Sequence, residues 1–310
     1  MRPMLATKGT HVPSGADWSH EVKWDGVRIL ADTRDGRTRM WSRNANDVTP
    51  AWPEISAAPL GDRDLLVDGE VIALNDRGIP DFRVLQDRMH TRNATTARRL
   101  SQQVPATFMV FDVLRLDGTD LTEQPLERRR EVLAGLDLAG SPWQVPAAYD
   151  DGDMLHEATR QQGLEGIVSK RLSSRYSFDT RTPHWLKFAH RQRLSYVVGG
   201  WRPQEGTADR LAAVLVGEQT PDGLLYRGRV GSGIGGKVSA MLAELLEPLA
   251  RADSPFADEV PRVDARGTHW VEPLVVVDVD THGSGYDRLR QPSYQGVRHD
   301  LDPESLGAQT

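Results

Sequence analysis

The chain has 310 residues, 38% of them hydrophobic and 26% charged, with a formal net charge of −6 and no cysteine. This is an ordinary globular composition with no apolar run near the roughly eighteen residues of a membrane span, and residues 1–14 lack the basic and apolar regions of a secretory leader, so a cytosolic protein with no membrane role is expected. The missing cysteines exclude disulfides, thiolate metal sites and cysteine nucleophiles, which leaves carboxylates and histidines to hold an oxygen-loving divalent cation; the acidic balance argues against a broad basic footprint for nucleic acid but not against a local one.

In chain order, the N-terminal two-thirds reads as α+β. Strands are expected over 19–30, 65–74, 108–114 and 166–170, closed by turn sequences such as Asn75-Asp76-Arg77-Gly78 and Asp117-Gly118. Helices are expected over 82–89, 126–136 and 153–162, the last opening on an aspartate cap at Asp153. From about Arg193 the texture turns β-rich: 195–201, then 211–216 and 224–230 as a hairpin through Pro221-Asp222-Gly223, one helix over 237–250 and a strand over 270–279. Several short strands with one helix suit a small barrel of the oligonucleotide-binding type. Length and texture together predict two domains, residues 1–190 and 191–310.

Of the 38 basic residues only five are lysines: Lys8, Lys23, Lys170, Lys187 and Lys237. Arginine keeps its proton, whereas lysine can be tuned to a neutral nucleophile, so lysines surviving in an arginine-biased chain invite a chemical explanation. The sharpest local feature is Glu21-Val22-Lys23-Trp24-Asp25-Gly26-Val27-Arg28, a strand running into a turn. Alone, a K-x-D-G match arises by accident in roughly one chain in twenty of this length. Its company carries more weight: Asp68-Gly69-Glu70 lies inside one apolar strand, and Glu165-Gly166-Ile167-Val168-Ser169-Lys170 opens another. Buried carboxylates are costly unless paired, so Glu70 and Glu165 are expected to converge on a divalent cation or on lysine and arginine groups, a structural salt bridge being the plainer alternative. Trp185-Leu186-Lys187-Phe188 places another lysine in an apolar stretch after Arg181, and Phe111-Asp112 ends a hydrophobic strand.

With these motifs in order, the sequence resembles the covalent nucleotidyltransferases, specifically the bacterial ATP-dependent DNA ligases akin to the ligase domain of DNA ligase D and its stand-alone relatives. The likeness begins at Pro3-Met4-Leu5-Ala6, includes Ser42-Arg43-Asn44 and ends near Arg298-His299-Asp300. It implies a nucleotidyltransferase (ATP-grasp-like) domain followed by an OB-fold β-barrel. It also implies roles: Lys23 attacks the α-phosphate of ATP, Arg28 and Glu70 contact the ribose, Glu21 lies near the adenine and Phe111 stacks on it. Glu70 and Glu165 would support magnesium, or manganese in its place; Lys187 and Arg181 would meet phosphate oxygens, and Arg43 would lie between nucleotide and broken strand. Asp25, Gly26, Asp68, Lys170, Arg298 and Asp300 fall on further motif positions, the last two expected at the same nucleotide after domain closure.

The implied reaction seals a 5′-phosphate to a 3′-hydroxyl through a lysine–AMP and then a DNA-adenylate. The attacking amine must be uncharged and in line, with cations absorbing charge as pyrophosphate leaves. By the same resemblance the partners are nicked or broken duplex DNA and, in double-strand break repair by end joining, Ku and polymerase or nuclease modules; a monomer associated with the nucleoid is expected. Two positions depart from the pattern: Ala189 stands where many relatives carry a second lysine, with His190, Arg191 or Arg193 as substitutes, and Leu301 where some carry another. The rival readings are an RNA ligase or capping enzyme with the same lysine centre, and a non-catalytic nucleic-acid-binding scaffold.

Overall fold

The computed structural model describes every residue except 59, 61–62, 137, 139–141, 208–209, 283–286 and 307–310. Backbone contacts divide the chain into two compact units, Met1–His190 and Arg191–Thr310.

The first unit holds two sheets. One has the spatial order β1-β10-β9-β2, built from β1 (Leu5–Lys8), β2 (Trp18–Val22), β9 (Gly166–Arg171) and β10 (Arg181–Ala189). The other has β4 (Arg37–Ser42), β3 (Val27–Arg34), β5 (Leu65–Ile72), β6 (Thr107–Leu116) and β7 (Thr119–Asp120) in that order, with β8 (Trp143–Gln144) against β6. Strand β5 is covered on both faces, and its apolar residues are interrupted only by Asp68-Gly69-Glu70. Val67 and Val71 join Ile29, Met40, Phe108, Val110 and Trp143 in one core. On the opposite face Leu66 packs with Leu30, Phe111, Leu114 and, from the first sheet, Trp185. That second cluster is where the two sheets meet.

The single strand expected over 19–30 is in fact two, β2 and β3, one in each sheet. Lys23-Trp24-Asp25-Gly26 is the crossover. The Lys23 amide donates to the Gly166 carbonyl at 2.9 Å and so stays tied to the first sheet. Three residues later a Cβ on Gly26 would run into the Val71 carbonyl of the second sheet, which only glycine avoids. The hydrophobic pattern continues through both strands, so periodicity alone hides the break.

Helix Gly152–Gln161 is capped by Asp151, whose carboxylate accepts the Met154 amide at 2.9 Å, rather than by Asp153 as expected. Gly152 is there because a side chain would collide with the His20 ring. The expected helix over 82–89 is a 3-10 turn, Phe82–Leu85, followed by one α-turn, Gln86–Met89. A helix that the apolar pattern gave no reason to expect, Ala94–Gln103, is opened by the Asn93 side chain on the Thr96 amide.

His20 makes a pH prediction. It is fully buried, its Nδ1 is 2.8 Å from the Ser169 hydroxyl, and its Nε2 is buried without a hydrogen bond. Burial lowers its pKa from 6.5, with Asp151, Asp153 and Asp150 opposing. A group with a depressed folded pKa binds more protons unfolded, so its contribution is present above about pH 6.5 and lost as pH falls through the folded value. The melting temperature should therefore drop on acidification from pH 7 to 5, with His190, lowered by burial and then by His156 and Arg160, adding to the slope. Thermal melts of His20→Gln should show a shallower acid limb; an unchanged slope would assign the acid sensitivity elsewhere.

The second unit is a six-stranded antiparallel sheet of order β13-β12-β11-β15-β14, with β16 on β15. Its strands are β11 (Gln192–Pro203), β12 (Leu211–Thr220), β13 (Gly223–Val230), β14 (Ala250–Arg251), β15 (His269–Thr281) and β16 (Ser293–Val297). The expected hairpin is present: Thr220 pairs with Gly223 across Pro221-Asp222, and Gly223 has φ +109°. Register shifts in β11 at Val198/Gly200 and Arg202/Pro203 bend that long strand and let the sheet curl. Helix Lys237–Leu246 closes the core with Leu242 and Leu246 against Val198, Val214 and Val277. The fold is α+β throughout, and the curled sheet with one helix is in keeping with an OB-fold barrel.

Candidate active site

The faces that meet inside the first unit carry the charged motifs. On the first sheet Glu21, Val168, Lys187 and Lys8 are successive register partners across β2, β9, β10 and β1, so they share one face. On the second sheet Arg28 on β3 is opposite Glu70 on β5. Lys23 lies at the crossover between the two.

Lys23 Nζ forms an ion pair with Glu165, and both side chains remain partly exposed, 22% and 15%. Burial pushes the Glu70 carboxyl up to about 8; Arg28 and Lys23 oppose that, and the charge of Glu165 adds to it. Burial also pulls the Lys187 ammonium down, helped by the neighbouring Lys23, Arg181 and Arg43 cations and opposed by Glu165. Five cations and two acids from five separate stretches of sequence are thus electrostatic neighbours. Among the described residues no group of three or more histidines and carboxylates is gathered as a metal cluster. The two acids expected to hold a metal are near enough for the charge of Glu165 to raise the Glu70 carboxyl.

Beneath this cluster lies a buried polar layer. Arg28 forms a two-pronged pair with Asp68 at 2.6 and 2.7 Å, and Asp68 also accepts the Tyr176 hydroxyl at 2.6 Å. Glu21 accepts from Lys170 Nζ at 2.8 Å, and Arg130 comes within 3.5 Å of its other oxygen. Burial pulls the Lys170 ammonium down while Glu21 and Asp112 hold it up. Phe111, expected to stack on a base, is itself buried, with the Arg28 guanidinium 4.5 Å and the Lys170 ammonium 4.2 Å from its ring centroid. A base reaches that ring only by sharing it with these cations or displacing them.

Asp25 accepts the Phe82 amide at 3.4 Å and Gly26 makes the crossover possible, so both motif residues shape the turn. Arg298 and Asp300 belong to the second unit, where Arg298 donates to Asp300 at 2.8 and 2.7 Å and approaches Asp278 at 3.4 Å. Of the substitutes considered for the cation absent at Ala189, two are committed elsewhere. His190 Nε2 is 2.9 Å from the Thr159 hydroxyl, and Arg193 pairs with Asp280 at 2.9 Å. The sequence reading passed over Tyr176, Arg129 and Arg130. The signal for Arg129 was helical spacing, since it lies three and four residues from Leu126 and Leu133 on the buried face of helix Leu126–Ala134.

Lys23 thus stands at a sheet-to-sheet crossover, paired with Glu165 and close enough to Lys187 for its charge to act there together with those of Arg181 and Arg43. Comparison with known proteins gives the class. The family profile described as ATP dependent DNA ligase domain matches residues 3–188, and that of the ATP dependent DNA ligase C terminal region matches residues 207–301. The multifunctional non-homologous end joining protein LigD of Mycolicibacterium smegmatis is 35% identical over 98% of this chain. The crystal structure of the ligase domain from M. tuberculosis LigD is 35% identical, with a TM-score of 0.57 over 98% of this chain and 97% of that one. A mycobacterial DNA ligase D complexed with ATP and MES is 34% identical with the same TM-score, 0.57, and covers 98% of this chain and 97% of that one. The chain belongs to the ATP-dependent DNA ligase family. It spans about two fifths of the length of the LigD relative, 39% of that protein.

Proposed function

We propose that this chain seals breaks in duplex DNA, using ATP to charge Lys23 with AMP, passing the AMP to a 5′-phosphate and joining that phosphate to a 3′-hydroxyl. The observation that carries the reading is the placement of Lys23, paired with Glu165 beside Glu70 and within the field of Lys187, Arg181 and Arg43. In an in-line displacement the amine needs an uncharged lone pair, and the pyrophosphate leaving from phosphorus needs cations that are already in place. Lys187, Arg181 and Arg43 are the cations available for the phosphates, and Arg28 with Glu70 is available for the ribose. Glu21 and Phe111 form the floor of a base site, one oxygen of Glu21 being buried without a hydrogen bond.

Magnesium, or manganese in its place, fits the two acids: Glu70 and Glu165 repel each other in a half-buried setting, a cost that a divalent cation between them would remove. Such an ion would supply charge neutralisation at the triphosphate. By their motif positions Arg298 and Asp300 are further candidate contacts for the nucleotide. The relatives named for non-homologous end joining favour a role in double-strand break repair, with Ku and polymerase or nuclease modules as partners and the nucleoid as the place of work. No described helix is long and apolar enough to cross a membrane.

Incubation of the chain with ATP, magnesium and a duplex carrying one 5′-phosphorylated nick should give a full-length sealed strand on a denaturing gel. GTP in place of ATP should give none. Sealing of a nick in RNA only, or no sealing with charged protein present, would overturn the DNA reading.

A further inference from the structure

The strongest unexplained polar atom in the first unit is Glu21 Oε1. Glu21 is 2% exposed; its Oε2 accepts from Lys170 Nζ at 2.8 Å, while Oε1 is buried and makes no hydrogen bond, with Arg130 Nη1 3.5 Å away. Neither cation is free to wander. Lys170 Nζ is held 4.2 Å from the Phe111 ring centroid and 4.3 Å from that of Trp185. Arg130 donates to the Phe111 carbonyl at 3.5 Å and to the Pro146 carbonyl at 3.1 Å.

We infer that Lys170 and Arg130 are the specificity-positioning residues of the base site, fixing Glu21 as a pure hydrogen-bond acceptor so that the site takes a purine with a 6-amino group and refuses one with a 6-oxo group. The inference rests on the adenylate-forming reading given above. Its logic is donor and acceptor bookkeeping. A carboxylate between two cations has only lone pairs to offer, so the group completing Oε1 must be a donor. Adenine presents a donor at its 6-position, and guanine presents an acceptor. Guanine would bring its oxygen against a carboxylate oxygen that cannot turn away, because Lys170 holds Oε2. Without Lys170 or Arg130, Glu21 could rotate, and the site would lose its preference. Both residues act through Glu21 and touch no reacting atom.

The test compares self-adenylation with ATP, with GTP and with purine riboside triphosphate, which lacks any 6-substituent. One hydrogen bond to a charged group corresponds to roughly 10–100-fold. The wild-type chain should therefore favour ATP over purine riboside triphosphate by about that factor in kcat/KM, through KM. Arg130→Gln and Lys170→Met should each bring the ratio to within about threefold of unity. They should do so by raising KM for ATP more than KM for purine riboside triphosphate, a split that general damage would not produce. Melting curves identify a variant that fails to fold, and Arg130→Gln, whose side chain is 16% exposed where that of Lys170 is 2% exposed, then decides. A wild-type ratio near one, or folded variants that keep the wild-type ratio, overturns the inference. If the wild-type chain forms no adenylate with any nucleotide, the proposed function fails instead. Equilibrium binding of ATP against purine riboside triphosphate then still reads the base preference.

Discussion

Lys23→Ala should take up no covalent AMP from ATP and magnesium, and its sealing of an ordinary nick should fall by roughly 10^4-fold or more, the usual scale for deleting a covalent nucleophile. Intact-protein mass spectrometry reads the first outcome and strand joining reads the second. The same variant given a nick whose 5′-phosphate already carries AMP should still join it, because the lysine is spent once the AMP has left it. A variant that adenylates normally would remove Lys23 from the chemistry. One that fails equally on the pre-adenylated nick would point to lost folding or lost DNA binding. Lys23→Arg should be as inactive as the alanine variant although it keeps the Glu165 ion pair, since a guanidinium does not give up its proton to become a nucleophile. That contrast separates reaction at the nitrogen from its charge.

The chemistry was more legible in the sequence than the geometry. Lys23, Glu70, Glu165 and Lys187 stood out because charged residues interrupt strand-like apolar runs, and the fold brings them together as electrostatic neighbours. The crossover at Lys23-Trp24-Asp25-Gly26 was not legible as such. Alternation runs on from β2 into β3, and only the approach of Gly26 to the Val71 carbonyl shows why the chain must change sheets there. Edge strands such as β1 and β4 were missed for a related reason: β1 is only four residues long and β4 carries exposed Arg37 and Arg39, so they lack the apolar content that marks a central strand. The polar layer beneath the site was hidden by composition. Arg128-Arg129-Arg130 reads as a solvated run, yet Arg129 is fully buried and Arg130 reaches Glu21. Phe111 shows the opposite failure, since its place against Arg28 and Lys170 depends on two sheets meeting, which no local pattern records.

Arg129→Met should be among the most destabilising single changes in the first unit. Arg129 and Asp112 are both fully buried, joined by two hydrogen bonds at 2.7 and 2.8 Å, and Arg129 also donates to the Gln124 and Ser174 carbonyls at 2.6 and 2.9 Å. Burial pushes the Asp112 carboxyl up, and the Arg129 hydrogen bonds and charge oppose it, so removing the arginine leaves an acid with every reason to take up a proton. Breaking one partner of a buried pair costs roughly 3–5 kcal/mol, which for a unit of this size lowers the melting temperature by about 10 °C. Replacing both partners in Asp112→Leu/Arg129→Met should recover most of that loss, because the desolvation cost of the two charges goes with them. A double variant as unstable as the sum of the singles would show that the carbonyl contacts of Arg129, not its ion pair, hold the region together. The pair also has a functional reach, since Asp112 follows Phe111 on β6 and Arg129 precedes Arg130 on its helix. Even where Asp112→Leu/Arg129→Met folds well, it should therefore raise KM for ATP more than it lowers kcat, because the base site loses its alignment while the Lys23 cluster, carried on other strands, keeps its own.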